Sequence, residues 1–282
     1  VRHLSFGGCG CGFVFGAHKP GLVGFSRGRS MMVDFQLAIV LMTEPLPKIR
    51  LYLDVTLKSG AEIGLSRDHA NYLFNVMRLG VGAPLRVFNG EDGEWRAEVV
   101  SAGKRGGVIT LLERLRPPEI PPDLWLVFAP IKKARTDFIA EKACEMGCRR
   151  LAPVFTRFTN SERVNTDRLR AHAVEAAEQC GMVFVPEVSE PTTLERLLEG
   201  WDPGRRLIFC DETRNAAPLA SIAPEPPAAI LVGPEGGFSA DETAKLRALD
   251  FVTPAALGPR VLRADTAAVA ALAIWQARRG DW

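Results

Sequence analysis

The chain has 282 residues, of which 47% are hydrophobic and 24% charged, and this is typical of a globular protein of one or two domains. Its net charge of +2 neither requires nor excludes a nucleic-acid partner, because phosphate binding depends on where the positive charge lies. The six cysteines form no paired C-x-x-C motifs and the four histidines show no metal-ligand spacing, so we expect neither a disulfide-rich secreted domain nor a metal site. No stretch approaches the ~20 apolar residues of a membrane span, and we expect a cytoplasmic protein without a membrane segment.

Residues 1–47 differ from the rest of the chain, since they are rich in Gly, Ser and Arg at the start and show no sustained periodicity. The glycine cluster at residues 7–12 follows no strand pattern and precedes no helix pattern, so it does not predict a nucleotide-binding loop. We interpret residues 1–47 as a poorly ordered N-terminal extension or as a mis-assigned start, with Met42 as one alternative start. The intact mass of natively expressed protein distinguishes the two, because a mass that includes residues 1–41 contradicts the downstream start.

Residues 48–116 predict a small β-rich domain. Alternating runs predict strands over Leu51–Leu53, Pro84–Phe88, Trp95–Val99 and Val108–Leu112. Asn89-Gly90 and Asp92-Gly93 indicate a hairpin turn between two of these strands. A helix is predicted over Ser66–Leu79, with Ser66 or Asp68 as its cap.

Four prolines in residues 117–122 predict a stiff linker, because proline interrupts helices and central strands. From 123 to 282, strand and helix patterns alternate, which predicts an α/β domain with a parallel sheet. The predicted strands are Leu124–Ile131, Arg150–Phe155, Val183–Val188, Leu207–Cys210, Ala229–Val232 and Ala255–Leu257. The predicted helices are Thr136–Met146, Arg168–Cys180, Leu194–Leu198, one that a capping box starts at Ser239, and Asp265–Arg279. The last helix is apolar nearly all round, which indicates burial in the domain or at a subunit interface. Cys144 and Cys148 share a helix face and are interpreted as small core residues.

Three loops follow predicted strands, and ligands bind beyond the carboxyl ends of parallel strands, so we expect these loops to surround one pocket. Gly233–Phe238 lacks the spacing of dinucleotide and phosphate loops, and a plain structural turn is the alternative interpretation. Leu257–Thr266 brings two arginines, a carboxylate and a hydroxyl to the start of a helix; in the alternative interpretation Asp265 caps that helix and the arginines are solvated. Asp211–Arg214 is the third loop, with solvated charge as its alternative.

The first two of these loops together resemble those of the RsmE family, the 16S ribosomal RNA uridine-N3 methyltransferases of the knotted SPOUT superfamily. The matching segments are Gly233–Phe238 and Leu257–Ala267. Lys132–Ile139 and Glu141–Gly147 resemble the first strand–helix unit of the family, and Glu175–Cys180 resembles the second. Ser66–Leu73 and Val76–Leu79 resemble its N-terminal PUA-like RNA-binding domain. The resemblance covers about residues 49–280.

The resemblance implies a C-terminal parallel-sheet SPOUT domain over residues 123–282, with a deep trefoil knot through which the last helix is threaded. It implies that the β-rich domain is PUA-like and binds RNA. It also implies methylation by S-adenosylmethionine at N3 of a uridine, uridine 1498 of 16S ribosomal RNA, in the small ribosomal subunit. The expected assembly is a homodimer with each active site near the subunit interface.

The resemblance also assigns residues to roles. The predicted S-adenosylmethionine site consists of Asp211, Gly233, Pro234, Glu235, Gly236, Gly237, Leu257, Gly258, Leu262 and Thr266. Arg263 is predicted to stabilise charge on a uracil oxygen, and Asp265 or Glu235 to act as the base or to orient it. RNA contacts are predicted at Arg67, His69, Arg78, Lys132 and Arg135.

Two positions depart from the family pattern. Met182 stands where the family often has a basic residue, and Asp265 stands where it has Glu, which shortens the reach of the carboxylate by one methylene. Three other functions remain open at this point: a knotted methyltransferase that acts on the ribose 2′-OH, a nicotinamide oxidoreductase, and a non-catalytic RNA-binding assembly factor. The missing G-x-G-x-x-G spacing argues against the oxidoreductase.

Overall fold

The computed structural model describes residues 46–103, 105–161, 163–213 and 215–282. The predicted N-terminal extension therefore lies outside the described residues except for Leu46 and Pro47, and so do its glycine cluster and Met42. Residues 47–282 pack as one compact unit. Within the described part of the chain, every helix is too short or too polar to cross a membrane.

The first sheet is built from residues 50–116 and has five strands in the order β1-β3-β4-β5-β2. Its strands are β1 Arg50–Tyr52, β2 Glu62–Gly64, β3 Pro84–Phe88, β4 Glu94–Gly103 and β5 Gly106–Arg116. β1 and β3 run parallel, and the other neighbours run antiparallel. The predicted hairpin is confirmed between β3 and β4, where Asn89 Oδ1 accepts the N–H groups of Glu91 and Asp92 at 2.9 and 2.8 Å.

The predicted helix of this domain is present but does not stay α-helical. Helix α1 spans only Arg67–Ala70 and passes into a π-helical segment, Asn71–Val76, where the N–H of Met77 bonds the C=O five residues back. Ser66 is its cap, since Ser66 Oγ accepts the N–H of His69 at 3.1 Å. Of the two predicted caps, Asp68 lies instead in the first turn.

The second sheet has seven parallel strands and confirms the predicted α/β class. The order is β12-β10-β11-β6-β7-β8, and β9 pairs with β7. The strands are β6 Leu124–Phe128, β7 Arg150–Phe155, β8 Glu187–Val188, β9 Thr192–Thr193, β10 Arg206–Cys210, β11 Ala228–Val232 and β12 Val252–Ala255. The helices are α2 Lys133–Glu145, α3 Thr166–Cys180, α4 Leu194–Glu199, α5 Leu219–Ile222, α6 Ala240–Ala248 and α7 Ala264–Arg279.

Three strand predictions for this sheet are wrong in extent. The strand predicted over Leu124–Ile131 ends at Phe128 as β6. The predicted strand Val183–Val188 pairs only over β8, because Pro186 has no N–H to donate and the first ladder bond runs from Glu187 N to Arg149 O at 3.0 Å. Val183 is apolar because it is buried in the core, not because it belongs to a strand. The strand predicted at Ala255–Leu257 lies three residues earlier as β12, an edge strand that tolerates Pro254.

Apolar side chains cover both faces of the second sheet. Leu126 points into the core formed with α2, α3 and α7, whereas Val127 points into the opposite core with α4 and α6. Cys144 and Cys148 are fully buried, which confirms their interpretation as core residues. Helix α7 is buried along one face at Ala268, Leu272 and Trp275, while its opposite face is partly exposed at Val269, Ala270 and Ala273.

Arg50 joins the first sheet to the end of helix α3. It is 5% exposed, and its Nε donates to Glu94 Oε1 at 2.6 Å while its Nη2 donates to the carbonyl of Met182 at 2.9 Å. A further bond runs from Arg50 to the carbonyl of Ala177. Met182 stands where the family often has a basic residue. In this chain its backbone carbonyl contacts Arg50 of the first domain.

Candidate active site

The predicted loops meet because their strands are neighbours. β12, β10 and β11 lie side by side and run parallel, so the loops after them leave the sheet at one edge. They enclose one cavity of about 210 Å³. Its lining combines backbone of the glycine-rich loop with the apolar side chains of Val232, Leu257, Leu262, Ala264 and Ala267.

Nine of the ten residues predicted for the cofactor line this cavity. They are Asp211, Gly233, Pro234, Glu235, Gly236, Gly237, Leu257, Gly258 and Leu262. Thr266, the tenth, lies in the first turn of α7 and is exposed. Of the three predicted catalytic residues, Glu235 lines the cavity, whereas Arg263 and Asp265 lie outside its lining.

The glycine-rich loop is shaped by side chains as well as by glycine. Glu212 Oε1 accepts the N–H of Phe238 at 3.2 Å, and a Cβ on Gly237 would lie 2.2 Å from that oxygen. Gly237 also has a φ of +68°, which strains every residue with a Cβ. Gly233 makes room for the Phe238 ring, which would approach its Cβ to 2.6 Å. At Gly233, therefore, close packing explains the glycine.

Asp211 lines the cavity and is hydrogen-bonded by a residue of helix α6. It is 4% exposed, and its carboxylate accepts hydrogen bonds from the Arg247 guanidinium and, at 2.9 Å, from the N–H of Thr213. Burial would raise the pKa of Asp211, but the bonds from Arg247 and Thr213 outweigh it and lower the pKa. This carboxylate therefore fixes the loop after β10. Arg247 was missed by sequence reasoning.

The start of helix α7 contradicts one of the two sequence interpretations. Its N-cap residue is the exposed Arg263, so the alternative in which Asp265 caps the helix is wrong. Asp265 lies in the first turn of α7, where its Oδ1 accepts the N–H of Thr266 at 2.9 Å. Its Oδ2 lies 3.7 Å from the Nε of Arg135, which is in the first turn of α2. A residue predicted to contact RNA thus pairs with one predicted to be catalytic.

Two family models match the parts of the chain that form these sheets and loops. A family described as an RNA methyltransferase domain matches residues 118–276, and an RNA methyltransferase PUA domain matches residues 65–112. The ribosomal RNA small subunit methyltransferase E of Rickettsia conorii is 31% identical over 229 residues, which cover 79% of this chain and 93% of the relative. The chain belongs to the RsmE family. The family resemblance predicted from the two loops is confirmed.

Two solved structures share the fold of this RsmE family member. A putative methyltransferase from Legionella pneumophila, in complex with the bound cofactor SAM, superposes with a TM-score of 0.77 at 27% identity and covers 83% of this chain and 99% of that one. The RsmE of Neisseria gonorrhoeae, bound to S-adenosyl methionine, superposes with a TM-score of 0.74 at 24% identity, with coverages of 83% and 99%. They confirm the parallel-sheet domain beside a PUA-like domain, and the trefoil knot stays a prediction.

The predicted RNA contacts fall into two groups. Arg67, His69 and Arg78 lie around α1 in the PUA-like domain; Arg67 and Arg78 are exposed, and burial lowers the pKa of His69. Lys132 and Arg135 lie at the start of α2, where Arg135 pairs with Asp265 of α7. Their role in binding RNA stays a prediction.

The loop after β7 was also missed by sequence reasoning. Phe158 is 44% exposed and lies against Gly236, since a Cβ there would be 3.0 Å from Phe158 Cβ. The N–H of Arg157 donates to Glu242 Oε1 at 2.8 Å. An exposed aromatic ring thus borders the cavity loop, where a flat base would find a stacking surface.

Proposed function

We propose that this protein transfers a methyl group from S-adenosylmethionine to N3 of a uridine in 16S ribosomal RNA, uridine 1498 by family resemblance. The observation that carries the proposal is that three strand-end loops line one shared cavity in a chain of the RsmE family. The proposal includes the small ribosomal subunit as substrate, a homodimeric assembly and a cytoplasmic location. The partly exposed face of α7 is the candidate subunit contact.

The cavity residues fit S-adenosylmethionine by chemical type. Apolar side chains such as Val232 and Leu257 suit an adenine ring, and backbone groups of Gly233 and Gly236 suit its polar edges. The carboxylate of Glu235 at the cavity provides negative charge for a cationic ligand. When bound, S-adenosylmethionine supplies a methyl group that its own positive charge has activated.

The protein then has to position the base and remove one proton. Uracil N3 is a weakly acidic imide, so it must lose its proton before or during attack. Three carboxylates line the cavity. Asp211 accepts a hydrogen bond from Arg247 and Glu212 accepts the N–H of Phe238, so we assign proton removal to the third, Glu235, a contribution of typically about 10²–10⁴-fold. The exposed guanidinium of Arg263, at the N-terminal end of α7, is assigned to the uracil oxygen that gains charge. Asp265 is assigned to hold Arg135 in place for the RNA.

The direct experiment combines binding and transfer. The pure protein is titrated calorimetrically with S-adenosylmethionine, and labelled methyl transfer is then measured to small ribosomal subunits that lack the modification. Binding with label on a uracil base supports the proposal. Absence of binding would favour an RNA-binding assembly factor, and label on a ribose would favour a 2′-O-methyltransferase.

Replacing Gly237 by alanine should weaken S-adenosylmethionine binding by about tenfold. In the variant we expect the free loop to relax away from the Glu212 carboxylate that the new methyl would meet. Binding must then restore the left-handed backbone at a cost of about 1–2 kcal/mol, and 1.4 kcal/mol corresponds to tenfold. Calorimetry measures the change. The matched control is Gly236→Ala, where φ is ordinary and only the Phe158 side chain must shift. Equal losses in both variants would contradict this account of the loop.

Removing the charge of Asp265 should lower turnover through Arg135. We expect Asp265→Asn and Arg135→Ala each to slow methyl transfer about ten- to hundredfold, the loss typical of a misplaced substrate. The double variant should then be no slower than Arg135→Ala alone, because residues that act as one unit are not additive. Single-turnover rates measure this coupling. Fully additive losses would instead make Asp265 an independent participant, such as the base.

A further inference from the structure

Two cysteine thiols from neighbouring helices meet at the C-terminal end of α3. Cys144 lies on α2 and is fully buried, whereas Cys180 is the last residue of α3 and is exposed. A hydrogen bond between the two thiols shifts the pKa of each, and Cys180 Sγ also donates to the carbonyl of Ala177 at 3.9 Å. Neither belongs to the methyl-transfer site, since the cavity lining includes neither of them.

The two thiols differ in their access to solvent. Cys180 lines an open surface hollow of about 270 Å³ together with Glu145 and Met182, so a small solute reaches its sulfur. Cys144 lies behind it in the apolar core, next to Cys148. A solvent-facing thiol backed by a second thiol is the arrangement of a reactive and a resolving cysteine.

The surroundings of Cys180 favour its thiolate. The hydrogen bond from Cys144 is the main cause that lowers the pKa of Cys180 to about 6, assisted by the backbone of Met182 and the charge of Arg50, against burial and Glu145. The same hydrogen bond, with burial, raises the pKa of Cys144, which therefore keeps its proton. The thiolate is the form that attacks oxidants.

A helix C-terminus ordinarily disfavours a negative charge, because its last carbonyl groups point toward it. At the end of α3, Arg50 engages two of these carbonyls, those of Ala177 and, at 3.0 Å, Glu178. Just beyond the helix, Arg116 donates to the C=O of Gly181 at 2.5 Å and Arg50 donates to that of Met182 at 2.9 Å. The two guanidinium groups therefore offset the helix dipole beside the Cys180 sulfur.

We propose that Cys144 and Cys180 form an oxidisable dithiol, which hydrogen peroxide converts into a disulfide between α2 and α3. The Cys180 thiolate attacks one peroxide oxygen, the O–O bond breaks, and the hydroxide that leaves takes up a proton to become water. The Cys144 sulfur then attacks the sulfenic sulfur of Cys180, the S–S bond forms, and the sulfenic hydroxyl leaves as water with the Cys144 proton. Two thiols are oxidised and one peroxide is reduced to two waters.

The test maps the disulfide in the full chain. Protein carrying Cys9→Ser and Cys11→Ser, which removes competing thiols, is treated with stoichiometric hydrogen peroxide, blocked with iodoacetamide, and digested without reduction for mass spectrometry. We expect one cross-linked peptide pair, with fragment ions that place the bond at Cys144 and Cys180. Free, alkylated cysteines at both positions, or a bond to Cys148 or Cys210, would overturn the proposal.

Matched variants assign the partner. Cys148→Ala removes the neighbouring core thiol and should still form the cross-link, whereas Cys144→Ala should leave a Cys180 sulfenic acid that dimedone traps. A cross-link lost in Cys148→Ala but kept in Cys144→Ala would contradict the assignment. If a core variant does not fold, the disulfide mapping in the protein that keeps Cys144, Cys148 and Cys180 still decides the question.

The pH dependence of alkylation gives a second readout. The rate of Cys180 reaction with iodoacetamide should rise with a midpoint near pH 6, because its pKa is lowered to about 6. In Cys144→Ala the midpoint should move upward, since the thiolate loses its hydrogen-bond donor. An unchanged midpoint would show that Cys144 does not activate Cys180.

Discussion

Replacing Arg263 by alanine should lower the rate of methyl transfer by about 10²–10³-fold, the loss typical of removing one group that stabilises developing negative charge. Affinity for S-adenosylmethionine should stay within about twofold of the unsubstituted protein, because Arg263 is exposed and lies outside the cavity lining. Single-turnover transfer to small subunits measures the first quantity, and calorimetry measures the second.

The matched control for Arg263 is Arg278→Ala on the same helix. Arg278 is also exposed but lies at the C-terminal end of α7, so its loss removes an equal charge far from the loop. We expect this control to transfer methyl groups at the unsubstituted rate. Unchanged turnover in Arg263→Ala would remove Arg263 from the mechanism, and lost cofactor affinity would reassign it to the cofactor site.

Replacing Glu94 by alanine should destabilise the fold by about 3–5 kcal/mol, the usual cost of removing one partner from a buried ion pair. Glu94 is fully buried, and its carboxylate lies 2.6 Å from Arg50, 3.2 Å from Arg116 and 3.4 Å from Arg86. Without it, three guanidinium groups lose their counter-charge. Urea unfolding followed by circular dichroism measures the free energy of unfolding.

An exposed ion pair of the same sheet provides the comparison. Glu113 pairs with Arg96 at 3.0 Å, but its side chain is 56% exposed, so Glu113→Ala should cost at most about 1 kcal/mol. Similar, small losses in both variants would mean that water or rearranged side chains replace the Glu94 carboxylate.

Local sequence signals predicted the elements whose determinants are local. Ser239 and Glu242 form the capping box that their spacing indicates, and Asn89 makes the hairpin turn. The prediction over Val183–Val188 was wrong because an apolar run reports burial but does not identify the partner. Val183 is buried by helices and loops, and Pro186 delays strand pairing to Glu187.

In the candidate site, too, local features were predictable from the sequence and long-range contacts were not. Its loops were predictable, since glycine-rich segments after apolar strands are visible in the sequence. The pairs that fix them join residues far apart in the chain, such as Arg247 with Asp211 and Arg135 with Asp265. Periodicity carries no information about such pairs, because each depends on how strands are ordered in the sheet. Even within one loop the sequence does not show why a glycine is needed. Gly233 is required because the Phe238 ring packs where a Cβ would lie.

The most direct test of the central claim is the chemical position of the methyl group. Small ribosomal subunits from cells that lack this protein are incubated with it and S-adenosylmethionine, and their 16S ribosomal RNA is digested to nucleosides and mapped by mass spectrometry. The cavity and family together predict 3-methyluridine at uridine 1498. A methylated ribose, or a methyl group on another base, would contradict the proposed reaction.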